Sequence, residues 1–294
     1  MKTNAIVRII LFSIAILVLL SILGAGLAFN LFAIDIDSII VHNGSTGQDL
    51  PVVSDDTVST GAVKADQIKN IEIEWVAGSI QIKQEGNADE IKISETATDN
   101  DKYCMVYKLD GNTLEIQYCE DSFSFPSFGV NMNISKDLVI VVPEGWTCGS
   151  LDIETASAEI EVSGLTIDKV EFEGASGGFQ FQNCAVGMLD VDTASGDIVF
   201  TGSLNTLDFD GASGDLTLEL TNTPSSIDMD TASGDLTVTL PEDCGFTASI
   251  DGMSHRFNTD FATTTVNGNH VHGDGSCRIT VDAMSGDLTI RKAE

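Results

Sequence analysis

The sequence predicts an all-β fold: a single-stranded β-solenoid of about seven or eight stacked coils, preceded by an N-terminal transmembrane helix. Three observations carry the prediction. A short motif recurs at near-constant spacing, its residues alternate apolar and acidic with period two, and a glycine stands at the middle of most copies.

The N-terminal element comes first. From Ile9 to Ile34 no residue is charged, a run long enough to cross a bilayer as a helix at about 1.5 Å per residue. Lys2 and Arg8 precede it, and Asp35 and Asp37 follow. The positive-inside bias therefore puts the N-terminus in the cytoplasm and the bulk of the chain outside. Gly26-Leu27-Ala28 offers small residues to a signal peptidase, so secretion after cleavage is the alternative. Residues 1–34 are thus expected to be a cytoplasmic stub and membrane helix. Residues 35–66, with Gly44, Gly47, Ser54, Ser59 and Gly61 among isolated apolar pairs, read as a flexible linker. The β-strand-repeat domain is placed at 67–294.

Before the main repeat, YCMVYKLDGNTLEIQYC has the pattern of a hairpin. A two-residue turn at Gly111-Asn112 sets Asp110 opposite Thr113 and Cys104 opposite Cys119. A Cys104–Cys119 disulfide is plausible in an oxidising space. Cys244 and Cys277 precede adjacent coils and form the second candidate pair. Cys148 and Cys184 lead into coils two steps apart, beyond the roughly 7 Å Cα limit of a disulfide, and are expected to be buried thiols. The irregular DSFSFPSFGV, with Phe123, Phe125 and Phe128, is read as a cap over an open solenoid end or as a partner loop.

The repeat fills the rest. LDIETASAEIEV from Leu151, VEFEGASGGFQF from Val170, LDVDTASGDIVF from Leu189, LDFDGASGDLTL from Leu207 and IDMDTASGDLTV from Ile227 align without gaps. Looser copies start at Ala248 and Ile279, and IEIEWVAGSIQI from Ile71 keeps the pattern with Ala77 in place of the serine. The serines Ser157, Ser176, Ser195, Ser213, Ser233, Ser254 and Ser285 are separated by 19, 19, 18, 20, 21 and 31 residues. One unit cannot bury its apolar face alone, whereas coils about 4.8 Å apart bury a continuous core and pair every backbone with its neighbours. Gly196, Gly214, Gly234 and Gly286 are expected at positive φ where the chain turns. A serine repeated this often, with no recurring histidine beside it, is turn chemistry rather than a nucleophile.

Charge narrows the function. The 294 residues hold 45 Asp and Glu against 14 Lys and Arg, a net charge of −31, and no basic cluster able to hold nucleic acid. Seventeen acids fall in three columns: Asp152, Glu171, Asp190, Asp208 and Asp228; Glu154, Glu173, Asp192, Asp210, Asp230, Asp251 and Asp282; Glu159, Asp197, Asp215, Asp235 and Asp287. Like charges about 4.8 Å apart repel by about 0.9 kcal/mol in bulk water. Arg256 stands in the third column and is expected to relieve it between Asp235 and Asp287. His270 and His272 alternate on one strand face and read as an exposed pair. No Cys-x-x-Cys pair exists, and no cofactor, metal ligand or catalytic residue is assigned.

The Ala-Ser-Gly-Asp-Leu-Thr-Leu ladder, Val-Pro-Glu-Gly at 142–145, Leu-Pro-Glu-Asp at 240–243 and the closing GDGSCRITVDAMSGDLTIRK resemble the bacterial putative-adhesin family, also described as toastrack-like. The resemblance covers roughly Val63 to Lys292. It implies a non-enzymatic envelope protein, and its relatives imply adhesion or envelope-stress roles. The expectation is a membrane-anchored extracytoplasmic binding module meeting an envelope polymer, a cationic peptide or a membrane-protein partner. Two alternatives remain open: a calcium-binding acidic solenoid, and a carbohydrate-active enzyme on a β-helical scaffold.

Overall fold

Alternating apolar and polar residues make strands, and here the strands stack in parallel. The computed structural model describes residues 53–55, 58–87, 89–96, 104–118 and 135–293. Its strands are β1 (Val53–Asp55), β2 (Val58–Lys64), β3 (Asn70–Gln84), β4 (Glu90–Thr96), β5 (Val106–Asp110), β6 (Thr113–Gln117) and β7 (Lys136–Val142). The repeats follow as β8 (Thr147–Ser163), β9 (Thr166–Ser176), β10 (Phe179–Ser195), β11 (Ile198–Ser213), β12 (Leu216–Leu220), β13 (Ser226–Ser233) and β14 (Leu236–Leu240). The chain closes with β15 (Phe246–Ser254), β16 (Phe257–Thr259), β17 (Thr264–Val266), β18 (Asn269–His272), β19 (Cys277–Ser285) and β20 (Leu288–Lys292).

The sequence alignment of the copies is also their register. Ile71 lies beside Leu151, Leu151 beside Val170, Val170 beside Leu189, Leu189 beside Leu207 and Leu207 beside Ile227. These six, with Ile279 beside Ile227, are at most 1% exposed. A second inward row, Ile80, Ile160, Phe179, Ile198, Leu216, Leu236 and Leu288, lines the other wall. Burying each such side chain contributes roughly 1.5–3 kcal/mol, which makes the stacked core the main source of stability.

Inward positions two residues apart share their volume. Ile153, Val191 and Met229 are followed by buried Thr155, Thr193 and Thr231, whereas Phe172 and Phe209 are followed by Gly174 and Gly211. A β-carbon on Gly174 would lie 2.3 Å from the Phe172 ring, and one on Gly211 would lie 2.7 Å from the Phe209 ring. Large side chain plus glycine alternates with smaller side chain plus threonine, so successive coils fill the same cross-section.

The corner glycines have a different cause from the one expected. Of Gly196, Gly214, Gly234 and Gly286, only Gly214 has a positive φ, at 152°. Close approach excludes the side chain instead: a β-carbon on Gly234 would lie 2.1 Å from the Gly214 carbonyl oxygen.

The coils do not stack in sequence order. β13 pairs in parallel with β19, and β15 pairs with the far side of β19. β20 likewise lies between β14 and β16. The last repeat is therefore inserted inside the stack, which accounts for the spacing of 31 residues between Ser254 and Ser285. The hairpin β17–β18 spans that gap, and β18 runs antiparallel to β15 at Phe246–Ala248.

At the other end the expected hairpin forms as β5–β6, with Asp110 opposite Thr113. Residues 58–64, expected to be part of a flexible linker over 35–66, form β2 instead, which pairs antiparallel with β4 and buries Val63. The membrane run at 9–34 and Phe123, Phe125 and Phe128 lie outside the described residues.

Candidate functional site

Two of the three acid columns share one face. Register extends the first column to Glu115, Glu72, Asp152, Glu171, Asp190, Asp208 and Asp228. The second runs Glu74, Glu154, Glu173, Asp192, Asp210, Asp230, Asp282 and Asp251. Side chains two residues apart on a strand point the same way, so the columns form a continuous double row. Glu72, Glu74 and Glu115 were missed in the sequence, although the copy from Ile71 carries the signal for the first two.

Among the described residues, the ion pairs of the double row form on its first column. Lys108 pairs with Glu115 at 2.7 Å, Lys169 with Glu171 at 2.5 Å and Arg278 with Asp228 at 2.6 Å, all in the first column. In the second column Glu74 accepts a hydrogen bond from the Gln117 amide at 3.1 Å. Burial, then the charges of Glu74 and Glu173, push Glu154 up to about 7. Burial, then Asp230 and Asp192, push Asp210 up to about 6. Glu173, Asp192, Asp230 and Asp282 are raised for the same reasons. Burial and mutual repulsion thus make these carboxylates hold protons more tightly than free ones do.

The third column does other work. The Asp197 carboxylate accepts the Asp215 backbone N–H at 2.9 Å, Asp215 accepts that of Asp235 at 2.9 Å, and Asp235 accepts that of Asp287 at 2.8 Å. Asp287 in turn accepts the Arg256 N–H at 2.9 Å and its guanidinium at 2.6 and 2.9 Å. Arg256 thus ends the ladder beyond Asp287 and does not stand between Asp235 and Asp287, because the last repeat is inserted. Gly178 interrupts the row, and Glu159 accepts its N–H at 3.2 Å. The surface there dips into a depression of about 760 Å³ between Glu161, Gln180, Asp197 and Val199.

A buried ion pair lies at the first coil. Lys136 and Glu95, each 1% exposed, meet at 2.6 Å. The ammonium packs against the Trp75 and Tyr118 rings and donates to the Tyr118 carbonyl, while Glu95 accepts the Met105 N–H at 2.6 Å. Period-two alternation carried this signal, since Lys136 shares parity with Leu138 and Ile140, and Glu95 with Ile91 and Ile93.

Cys148 and Cys184 are buried thiols, and burial pushes Cys148 up to about 12. Cys244 and Cys277 are also buried thiols in the structure. Cys119 lies outside the described residues. His270 stacks on Phe257 with ring centroids 3.9 Å apart, and the His272 Nδ1 lies 2.8 Å from the Ala262 carbonyl, so both help hold the hairpin. Among the described residues no three His, Cys, Asp or Glu side chains converge as a metal cage.

A glycine-cornered parallel stack with acids in register defines a repeat-built, all-β fold. The chain belongs to the Toastrack DUF4097 family, whose profile matches residues 68–206 and again 153–291. Among solved structures it is similar to a putative cell adhesion protein from Clostridium sporogenes ATCC 15579, at 12% identity, 80% of this chain, 99% of that one and a TM-score of 0.36. A putative adhesin from Bacteroides fragilis NCTC 9343 matches at 14% identity, 80% of this chain, 97% of that one and 0.39. A putative lipid binding protein from Parabacteroides distasonis ATCC 8503 matches at 15% identity, 81% and 97% coverage and 0.26. No curated protein matches the chain.

Proposed function

We propose that the chain is a non-catalytic binding module, held outside the membrane by its N-terminal apolar run, whose double carboxylate row binds a polycationic partner. The observation that carries the reading is the second column. Burial and then neighbouring acids raise Glu154 and Asp210, and among the described residues the ion pairs of the double row lie on the first column. A partner with amines or guanidinium groups at strand-like spacing would supply cations to the second, and a long field of one sign would steer it in. A basic peptide segment or cationic envelope polymer has this chemistry.

Titrating the full-length chain in mild detergent with oligolysine tests the reading. Binding is expected to weaken with salt. Asp192→Asn and Asp210→Asn should each lower affinity, by up to about fivefold if an exposed pair contributes roughly 0.2–1 kcal/mol. Protonation of Glu154 near 7 and Asp210 near 6 should weaken binding as pH falls through that range. Stability should move oppositely. Acids with raised folded pKa values hold their protons better when folded, so their contribution is present below the unfolded values and is lost as pH rises toward 7. Salt-insensitive binding, or variants that bind as tightly as the parent, would overturn the proposal. Saturable calcium binding to the same columns would favour the calcium reading instead.

A further inference from the structure

We infer that Cys244 and Cys277 are a modification site: on export they are joined as a disulfide that staples the inserted last repeat into the stack. The inference rests on the extracytoplasmic reading for its oxidising surroundings, and on the fold for its geometry.

That geometry is local. Cys277 opens β19, and its N–H donates to the carbonyl of Gly245, the residue after Cys244, at 3.0 Å. Phe246 is the register partner of Cys277. Cys244 and Cys277 are 4% and 0% exposed, so both thiols lie inside the same end of the core. Burial raises Cys277 to about 12, and the charge of Cys244 adds to the rise. Cys148 and Cys184 have no such relation: Cys148 is beside Ile167, and Cys184 is beside Gly202.

The position has a purpose that sequence order hides. β15, β16, β17 and β18 all lie between the two cysteines, and β19 must enter the stack between β13 and β15 after those strands are made. A bond between Cys244 and Cys277 closes that excursion and ties β19 to the start of β15. Loop closure removes freedom from the unfolded chain.

Burial also fixes when the bond forms. In the folded core no oxidant reaches either sulfur, so the exchange precedes closure of the last coil. The Cys244 thiolate attacks the disulfide of an extracytoplasmic thiol oxidase, forming a mixed disulfide and releasing one oxidase thiolate. The Cys277 thiolate then attacks the Cys244 sulfur and releases the second. Two thiol protons are lost, and the two electrons end on the oxidase as its dithiol.

The full-length chain, isolated from membranes with thiols blocked during denaturing lysis, is digested without reductant and mapped by mass spectrometry. The expected result is a linked Cys244–Cys277 peptide pair lighter by two hydrogens, with Cys148 and Cys184 alkylated. Protease accessibility on intact cells, run in parallel, reports the location independently. A second arm refolds the purified chain in glutathione redox buffer, where location plays no part. The linked pair should form there, and reductant should lower the melting temperature of the parent and leave a Cys244→Ser/Cys277→Ser variant unmoved. Cys244 and Cys277 both alkylated after oxidative refolding, or a pairing with Cys148 or Cys184, would overturn the inference. Linkage in the refolded chain with an intracellular domain would leave the staple standing and sink the location.

Discussion

Gly211 and Phe209 show how closely single residues are matched to their neighbours. The ring occupies the space where a Gly211 side chain would go, while Val191 leaves room for Thr193 in the adjacent coil. Gly211→Thr should destabilise by about 1–3 kcal/mol through overpacking. The double variant Phe209→Val/Gly211→Thr imitates the Val191–Thr193 pair and should recover most of that loss in denaturant melts. A non-additive cycle of this sign identifies shared volume; additive losses would mean the glycine serves the backbone alone. The alternation of threonine and glycine is plain in the sequence, but its cause is not, because the clash is visible only once the rings are placed.

At the scale of the element, the acid columns divide into two kinds that composition cannot distinguish. Asp215 is a backbone cap, since it accepts the Asp235 N–H and its own N–H goes to Asp197. Asp210, five residues earlier, has its carboxylate raised to about 6 by burial and by Asp230 and Asp192. Asp215→Asn keeps an acceptor oxygen and removes a charge, so thermal stability should hold or rise. Asp215→Ala leaves the Asp235 N–H without its acceptor and should cost roughly 0.5–1.5 kcal/mol. Equal melting temperatures for the two variants would remove the capping role. The sequence showed three equal columns, and hydrogen-bond geometry sets the third apart as a row of backbone caps.

For the whole molecule, the decisive feature is the order of stacking. In a solenoid wound in sequence order, removing the last repeat trims the end and leaves the remaining coils paired. Here β19 and β20 lie between β13–β14 and β15–β16. A chain ending before Cys277 should lose the pairing of β15 and β16 as well. Protease digestion and circular dichroism should then show loss of everything after β14 and a large fall in melting temperature. A truncated chain with β15 and β16 still protected would contradict the insertion.

By itself the sequence determined the all-β class, the period of the repeat, the register between its copies, the β5–β6 turn and the buried thiols of Cys148 and Cys184. Each follows from alternation or spacing, which act over a few residues or between identical units. Only the tertiary structure decided that the last repeat enters the middle of the stack, that Arg256 ends its column, that close backbone approach imposes the corner glycines, and that Lys136 and Glu95 pair in the core. These depend on which coil lies against which. Copies that resemble one another so closely can pair in several orders, so local pattern leaves that choice to packing of the whole.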